Sequence, residues 1–150
     1  MTQALRDAAA TQAFGRQLAL RLPTGSILLL EGDLGAGKTC LVQGLAAGLG
    51  IEEPITSPTF ALAQHYPLLK NGVAAGGLVH LDLYRLELAA AADELFAQEE
   101  EEARALGALL AVEWPERLSR PPAGCWQIQL SLIDPANPEA GRLIEMRSPS

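Results

Sequence analysis

Gly32-Asp33-Leu34-Gly35-Ala36-Gly37-Lys38-Thr39 decides the reading of this chain. It fits G-x-x-x-x-G-K-[ST], the pattern of a loop whose backbone cradles phosphate. Its flanks agree. Ser26-Ile27-Leu28-Leu29-Leu30-Glu31 is an apolar run of strand length, and Cys40 to Leu49 reads as a helix with Leu41, Leu45 and Leu49 on one stripe and Val42 beside it. Between a strand and a helix, loop N–H groups and the positive end of the helix dipole face an anion. Gly35 and Gly37 permit the tight path. Lys38 is expected to neutralise β/γ-phosphate oxygens and the Thr39 hydroxyl to ligate Mg²⁺. Candidate nucleotide-binding residues are therefore Asp33, Leu34, Gly35, Ala36, Gly37, Lys38, Thr39 and Cys40, with the Asp33 side chain read as a turn former. A dinucleotide fingerprint is excluded, because Gly35-Ala36-Gly37 is followed by Lys38-Thr39-Cys40 and the third glycine is missing.

Outward from that loop the chain alternates helices and strands. Ala8 to Leu22 has Phe14, Leu18 and Leu22 at helical spacing and stops at Pro23-Thr24-Gly25. Met1 to Asp7 reads as a short strand or a frayed end. Gly48 and Gly50 are expected to end the helix after the loop. Ile51 to Thr59 reads as a loop carrying Ser57-Pro58-Thr59, equally a γ-phosphate-sensing switch or a plain connection. Phe60 to Tyr66 reads as a strand closed by Pro67. Asn71-Gly72 and Gly76-Gly77 read as turns, and Leu78 to Tyr84 as the second strand of an antiparallel hairpin. Leu86 to about Leu106 is helical, Ala108 to Glu113 a buried strand, and Pro115 to Ser119 a short helix. Trp126 to Ile133 and Arg142 to Met146 are two more strands. The pattern predicts an α/β, P-loop NTPase-like three-layer sandwich, its mixed sheet parallel in the core with antiparallel hairpins, as a single domain over residues 1–150.

Composition narrows the partners. The 150 residues suffice for one sizeable core. A net charge of −7 argues against unaided binding to RNA or DNA, which needs a basic face. No apolar stretch approaches the ~20 residues of a membrane span, and no basic segment followed by an apolar run opens the chain, so a cytoplasmic protein is expected. Cys40 and Cys125 form no metal spacing and read as reduced apolar fillers, although Cys40 adjoins the loop. The run Gln98 to Glu102 reads as a solvated helix face.

Hydrolysis or transfer needs carboxylates beside the loop. Glu113 ends a buried strand and reads as a candidate acid for Mg²⁺ and the attacking water or as an acid where a strand exits to solvent. Asp82, in the polar phase of Leu78 to Tyr84, reads equally as a second such acid or as an exposed strand residue or helix N-cap. Arg85 reads equally as a phosphate contact or a surface ion pair, His80 as structural, and Trp126 as core. Trp114 reads either as a neighbour of the nucleotide or as a core aromatic.

Taken together, Gly32 to Thr39, Ser57-Pro58-Thr59, His80-Leu81-Asp82-Leu83-Tyr84-Arg85 and Val112-Glu113-Trp114-Pro115, in that order and spacing, resemble the bacterial TsaE family. The resemblance spans nearly the whole chain. It implies a small P-loop ATPase needed for threonylcarbamoyladenosine modification of tRNA at position 37. ATP and Mg²⁺ would be its ligands and the TsaB–TsaD pair its partner, with tRNA reached only through that pair. It implies that Lys38 and Thr39 hold phosphate and metal, that Asp82 and Glu113 are the acids, that Ser57 and Thr59 form a switch-like loop, and that Trp114 lies near the nucleotide. Two departures stand out. Asp93-Glu94-Leu95 is followed by Phe96-Ala97-Gln98 rather than by the family's usual glycine step, and Cys40 replaces a frequent threonine. Three other readings share the loop. A small-molecule kinase would need an arginine-bearing lid, for which only Arg117 and Arg120 offer themselves. A GTP switch would need an N-K-x-D stretch, which is missing. A binding module would keep ATP as a structural ligand.

Overall fold

A computed structural model describes residues 1–33, 35–56 and 62–149. Leu34, Ser57 and Thr59, all expected at the nucleotide, therefore lie outside the described residues, as do Phe60 and Ala61 of the expected strand. Among the described residues the chain alternates strands and helices in the order β1 (Thr2–Leu5), α1 (Ala8–Arg21), β2 (Ile27–Glu31), α2 (Lys38–Leu49), β3 (Ala63–Lys70), β4 (Val73–Asp82), α3 (Ala89–Leu106), β5 (Leu109–Glu113), β6 (Trp126–Leu132) and β7 (Arg142–Arg147). One seven-stranded sheet has the order β1-β7-β6-β2-β5-β4-β3. The strands β6, β2, β5 and β4 run parallel, and the pairs β1–β7, β7–β6 and β4–β3 are antiparallel. The expected mixed sheet, parallel inside and antiparallel at its rims, is what forms.

Side-chain alternation builds the layers. Successive strand residues point to opposite faces. Leu28 and Leu30 of β2, Leu78 of β4, and Leu109 and Ala111 of β5 pack with Leu18 of α1 and Leu41, Val42 and Leu45 of α2. Leu29, Val79, Leu81, Leu110 and Val112 pack on the other face with Ala92, Phe96 and Ala103 of α3. The phase then dictates the ends: His80 and Asp82 follow Leu78, and Glu113 follows Ala111, onto the face that carries α2. Their register, Asp82 opposite Glu113, brings the two carboxylates side by side at the C-terminal ends of the parallel strands. No helix among the described residues is long and apolar enough to cross a membrane.

Several boundaries differ from expectation, each for a physical reason. The helix after the loop begins at Lys38 rather than Cys40, and Gly50, not Gly48, is its left-handed C-cap. Gly48 lies inside α2, where a Cβ would come within 2.6 Å of the Arg16 carbonyl oxygen, so its absence lets α1 approach. Pro67 does not end β3. It sits within that strand because β3 is a sheet edge, where a missing N–H costs no ladder bond, and an irregular register follows it. Gly76 and Gly77 are not a turn; they belong to β4. The hairpin turns only at Asn71-Gly72, whose φ values of 54° and 77° suit a two-residue loop between Lys70 and Val73. The strand expected to reach Tyr84 stops at Asp82, and α3 starts at Ala89 instead of Leu86.

Candidate functional site

The glycine loop leaves β2 and enters α2 at Gly37, which has a φ of 103° and supplies no side-chain cap. A positive φ of that kind is strained for an L side chain, and a glycine N-cap places no capping side chain at the helix start. Lys38 is the first residue of α2 and is only 5% exposed. Its Nζ donates to the Gly32 carbonyl oxygen at 2.6 Å and lies 4.1 Å from the centroid of the Trp114 ring. The cation therefore bridges the start of the loop and the residue after β5. Thr39 and Cys40 are half-buried beside it, and Asp33 and Gly35 are exposed.

Two acids flank this lysine, in unlike environments. Glu113 is buried, and its Oε2 pairs with His80 Nε2 at 2.5 Å. Asp82 is half-buried and accepts a hydrogen bond from the Tyr84 backbone N–H at 2.9 Å. Burial pushes the Asp82 carboxyl above its ordinary range, and the Glu113 charge adds to the rise. The Tyr84 N–H, His80 and Lys38 oppose it. Asp82 is thus not the exposed strand residue that alternation alone allowed, nor is Glu113 an acid at an exit to solvent. Both lie where a parallel sheet presents its ligand end.

Trp114 adopts a φ of 60°, uncommon for a bulky residue. That backbone turns its ring over Lys38 and to 4.9 Å from the Tyr84 ring. The sequence left Trp114 between nucleotide neighbour and core; it caps the lysine. Arg117 lies 5.8 Å from the Tyr84 ring centroid, Arg120 is exposed, and Arg85 is exposed. Trp126 is partly buried against the α1–α2 core, as read. Cys125 is buried, and burial raises its thiol pKa. The acidic run is not uniformly solvated: Glu99 is buried against His65, its Oε2 2.6 Å from the ring Nε2, because that helix position faces the edge strand β3.

Sequence reading missed Arg142. From β7 its guanidinium donates to the Gly35 carbonyl oxygen at 3.1 Å and to the Pro138 carbonyl oxygen at 2.7 Å. With Arg6, Thr11, Gly37 and Cys40 it lines a cavity of about 290 Å³ on the α1 side of the loop. No local pattern announces it, since Gly35 and Arg142 meet only through the strand order.

With this geometry in hand, comparison with known proteins is informative. The family model for threonylcarbamoyl adenosine biosynthesis protein TsaE matches residues 5–138. The chain belongs to the TsaE family. A tRNA threonylcarbamoyladenosine biosynthesis protein TsaE from a Synechocystis species is 50% identical over 122 residues, covering 79% of this chain and 73% of that one. The TsaE protein of a Nostoc species is 41% identical over 136 residues, covering 91% and 81%. The crystal structure of YdiB from Bacillus subtilis superposes with a TM-score of 0.67 at 29% identity, covering all of this chain and 86% of that one. The resemblance read from four short segments is thereby a membership, and the family is one of tRNA threonylcarbamoyladenosine biosynthesis.

Proposed function

We propose that this protein is a Mg²⁺-dependent ATPase that serves threonylcarbamoyladenosine biosynthesis by acting on the TsaB–TsaD pair. One observation carries the reading: Lys38, Asp82 and Glu113 converge at the C-terminal end of the parallel strands, beside an uncapped helix start. The loop and helix start would bind the triphosphate, and Lys38 would leave the Gly32 carbonyl for phosphate oxygens. Thr39, Asp82 and Glu113 are hard oxygen donors, a set that suits Mg²⁺. The metal, when bound, neutralises charge on the phosphate oxygens. Glu113 would orient the attacking water. The cavity lined by Arg6, Gly37, Cys40 and Arg142 adjoins the loop on the side away from the acids and would take the nucleoside.

The net charge of −7 supports a protein that reaches tRNA only through its partners. A kinase reading draws less support, because Arg117 lies against Tyr84 rather than over the loop, and Arg120 is exposed. The test is phosphate release from ATP by the wild type and by Glu113→Gln. Loss of about 100-fold in the variant is expected from removing a positioned acid. An unchanged rate would overturn the assignment of Glu113, and an ATP-bound protein with no turnover would leave a binding module.

A further inference from the structure

His80 has no role in the proposed chemistry, yet its burial is complete, at 0% exposure. It lies on β4, between β3 and β5, and faces the side of the sheet that carries α2. Its Nε2 meets Glu113 Oε2, and among the described residues its Nδ1 has no partner. A buried polar atom without a partner costs free energy that an apolar side chain of the same volume would not. The fold tolerates that cost beside an acid that is itself only 4% exposed.

The geometry points to His80 as a positioning residue that holds Glu113 by one carboxylate oxygen and leaves Oε1 for the metal and water site. This rests on the proposed role of Glu113 in that site. A carboxylate only accepts, so the Nε2 that meets it carries a hydrogen. Without that donor the Glu113 side chain has χ freedom in a site where Asp82 stands opposite it in register. Like charge between those carboxylates would drive it away from the productive position. His80 thus acts on the chemistry through Glu113 and touches neither nucleotide nor metal.

The experiment compares His80→Gln with His80→Asn. A glutamine amide nitrogen reaches about as far from the backbone as Nε2 does, and an asparagine nitrogen falls short of Glu113. Two quantities are measured: the Mg²⁺ concentration that gives half the ATP-induced change in Trp114 fluorescence, and kcat with KM for ATP. Loss of a partner that orients a metal ligand costs about 10- to 100-fold in metal affinity or activity. His80→Asn is expected to raise the Mg²⁺ requirement about 10-fold and to lower kcat by about 10- to 100-fold, with KM within about threefold. His80→Gln is expected to restore most of both. Should the asparagine variant unfold, His80→Leu, which fills the ring's volume without a donor, is read in its place. Equal values for the glutamine and donor-free variants overturn the inference. A wild type whose fluorescence change needs no Mg²⁺ instead overturns the metal role of Glu113 itself.

Discussion

Replacing Lys38 with alanine isolates the contribution of one charge to nucleotide binding. In the free protein the ammonium already makes two contacts, a hydrogen bond to the Gly32 carbonyl oxygen and a stack on Trp114. A charged hydrogen bond is worth about 1.5–3 kcal/mol and a desolvated cation–π contact about 2 kcal/mol, so about 4 kcal/mol must be given up on binding. Against that, each phosphate charge within 4 Å of the ammonium contributes about 4 kcal/mol at an effective dielectric of about 20. Two such charges leave a net of about 4 kcal/mol, an upper figure because the loop is open to water and salt. Lys38→Ala is therefore expected to weaken ATP binding by about 100- to 1000-fold. Trp114 is its own reporter, since its ring loses the cation when Lys38 turns to phosphate. Trp126 sits at the start of β6, at the other end of the parallel strands, and Trp126→Phe removes its background. Titrating ATP against this fluorescence gives the dissociation constant of the wild type, and calorimetric titration gives that of Lys38→Ala, whose Trp114 has no cation to lose. An affinity unchanged within about threefold would refute the assignment of Lys38 to the phosphates and the arithmetic with it.

Two further outcomes follow from burial and packing. Because Asp82 has a raised pKa, the folded state holds its proton more tightly than the unfolded chain does. Its contribution to stability is then present below the ordinary carboxylate pKa, about 4, and is lost as pH rises through the folded value. Asp82→Asn should consequently unfold at a higher temperature than wild type at pH 7 and lose that advantage in acid, while its ATP hydrolysis falls. A pH-independent difference between their unfolding midpoints would sink this reading. Gly44→Ala tests the packing of α2 on α1, because a Cβ there would come within 2.9 Å of the Gln12 carbonyl carbon. Alanine gains about 1 kcal/mol of helix propensity, but overpacking against rigid backbone costs about 1–3 kcal/mol or more. Net destabilisation in urea is expected, and a stabilised variant would show that the helices can separate freely.

Much of this architecture is written locally. Leu28-Leu29-Leu30 and Leu109 to Val112 are buried on both faces and read as interior parallel strands. Glycines before a Lys-Thr pair mark the loop without any tertiary information. The misreadings fall where neighbours override local signals. Pro67 reads as a strand end until β3 is known to be a sheet edge, and Gly76-Gly77 reads as a turn until β4 is paired through it. His80 reads as structural, and it is buried, but that its ring meets Glu113 of another strand has no local signal. Arg142 illustrates the remaining gap: its bond to Gly35 depends on β7 lying beyond β6, and strand order has no local code. Asp82 and Glu113 were legible as acids near strand ends. Their adjacency required the register of β4 against β5.

Phosphate release from ATP, followed with the purified protein alone and again with the TsaB–TsaD pair added, tests the proposed function most directly. Slow release that rises on adding the pair, and that is absent from Lys38→Ala under both conditions, is the expected result. Release that neither exceeds that of Lys38→Ala nor responds to the pair would contradict it.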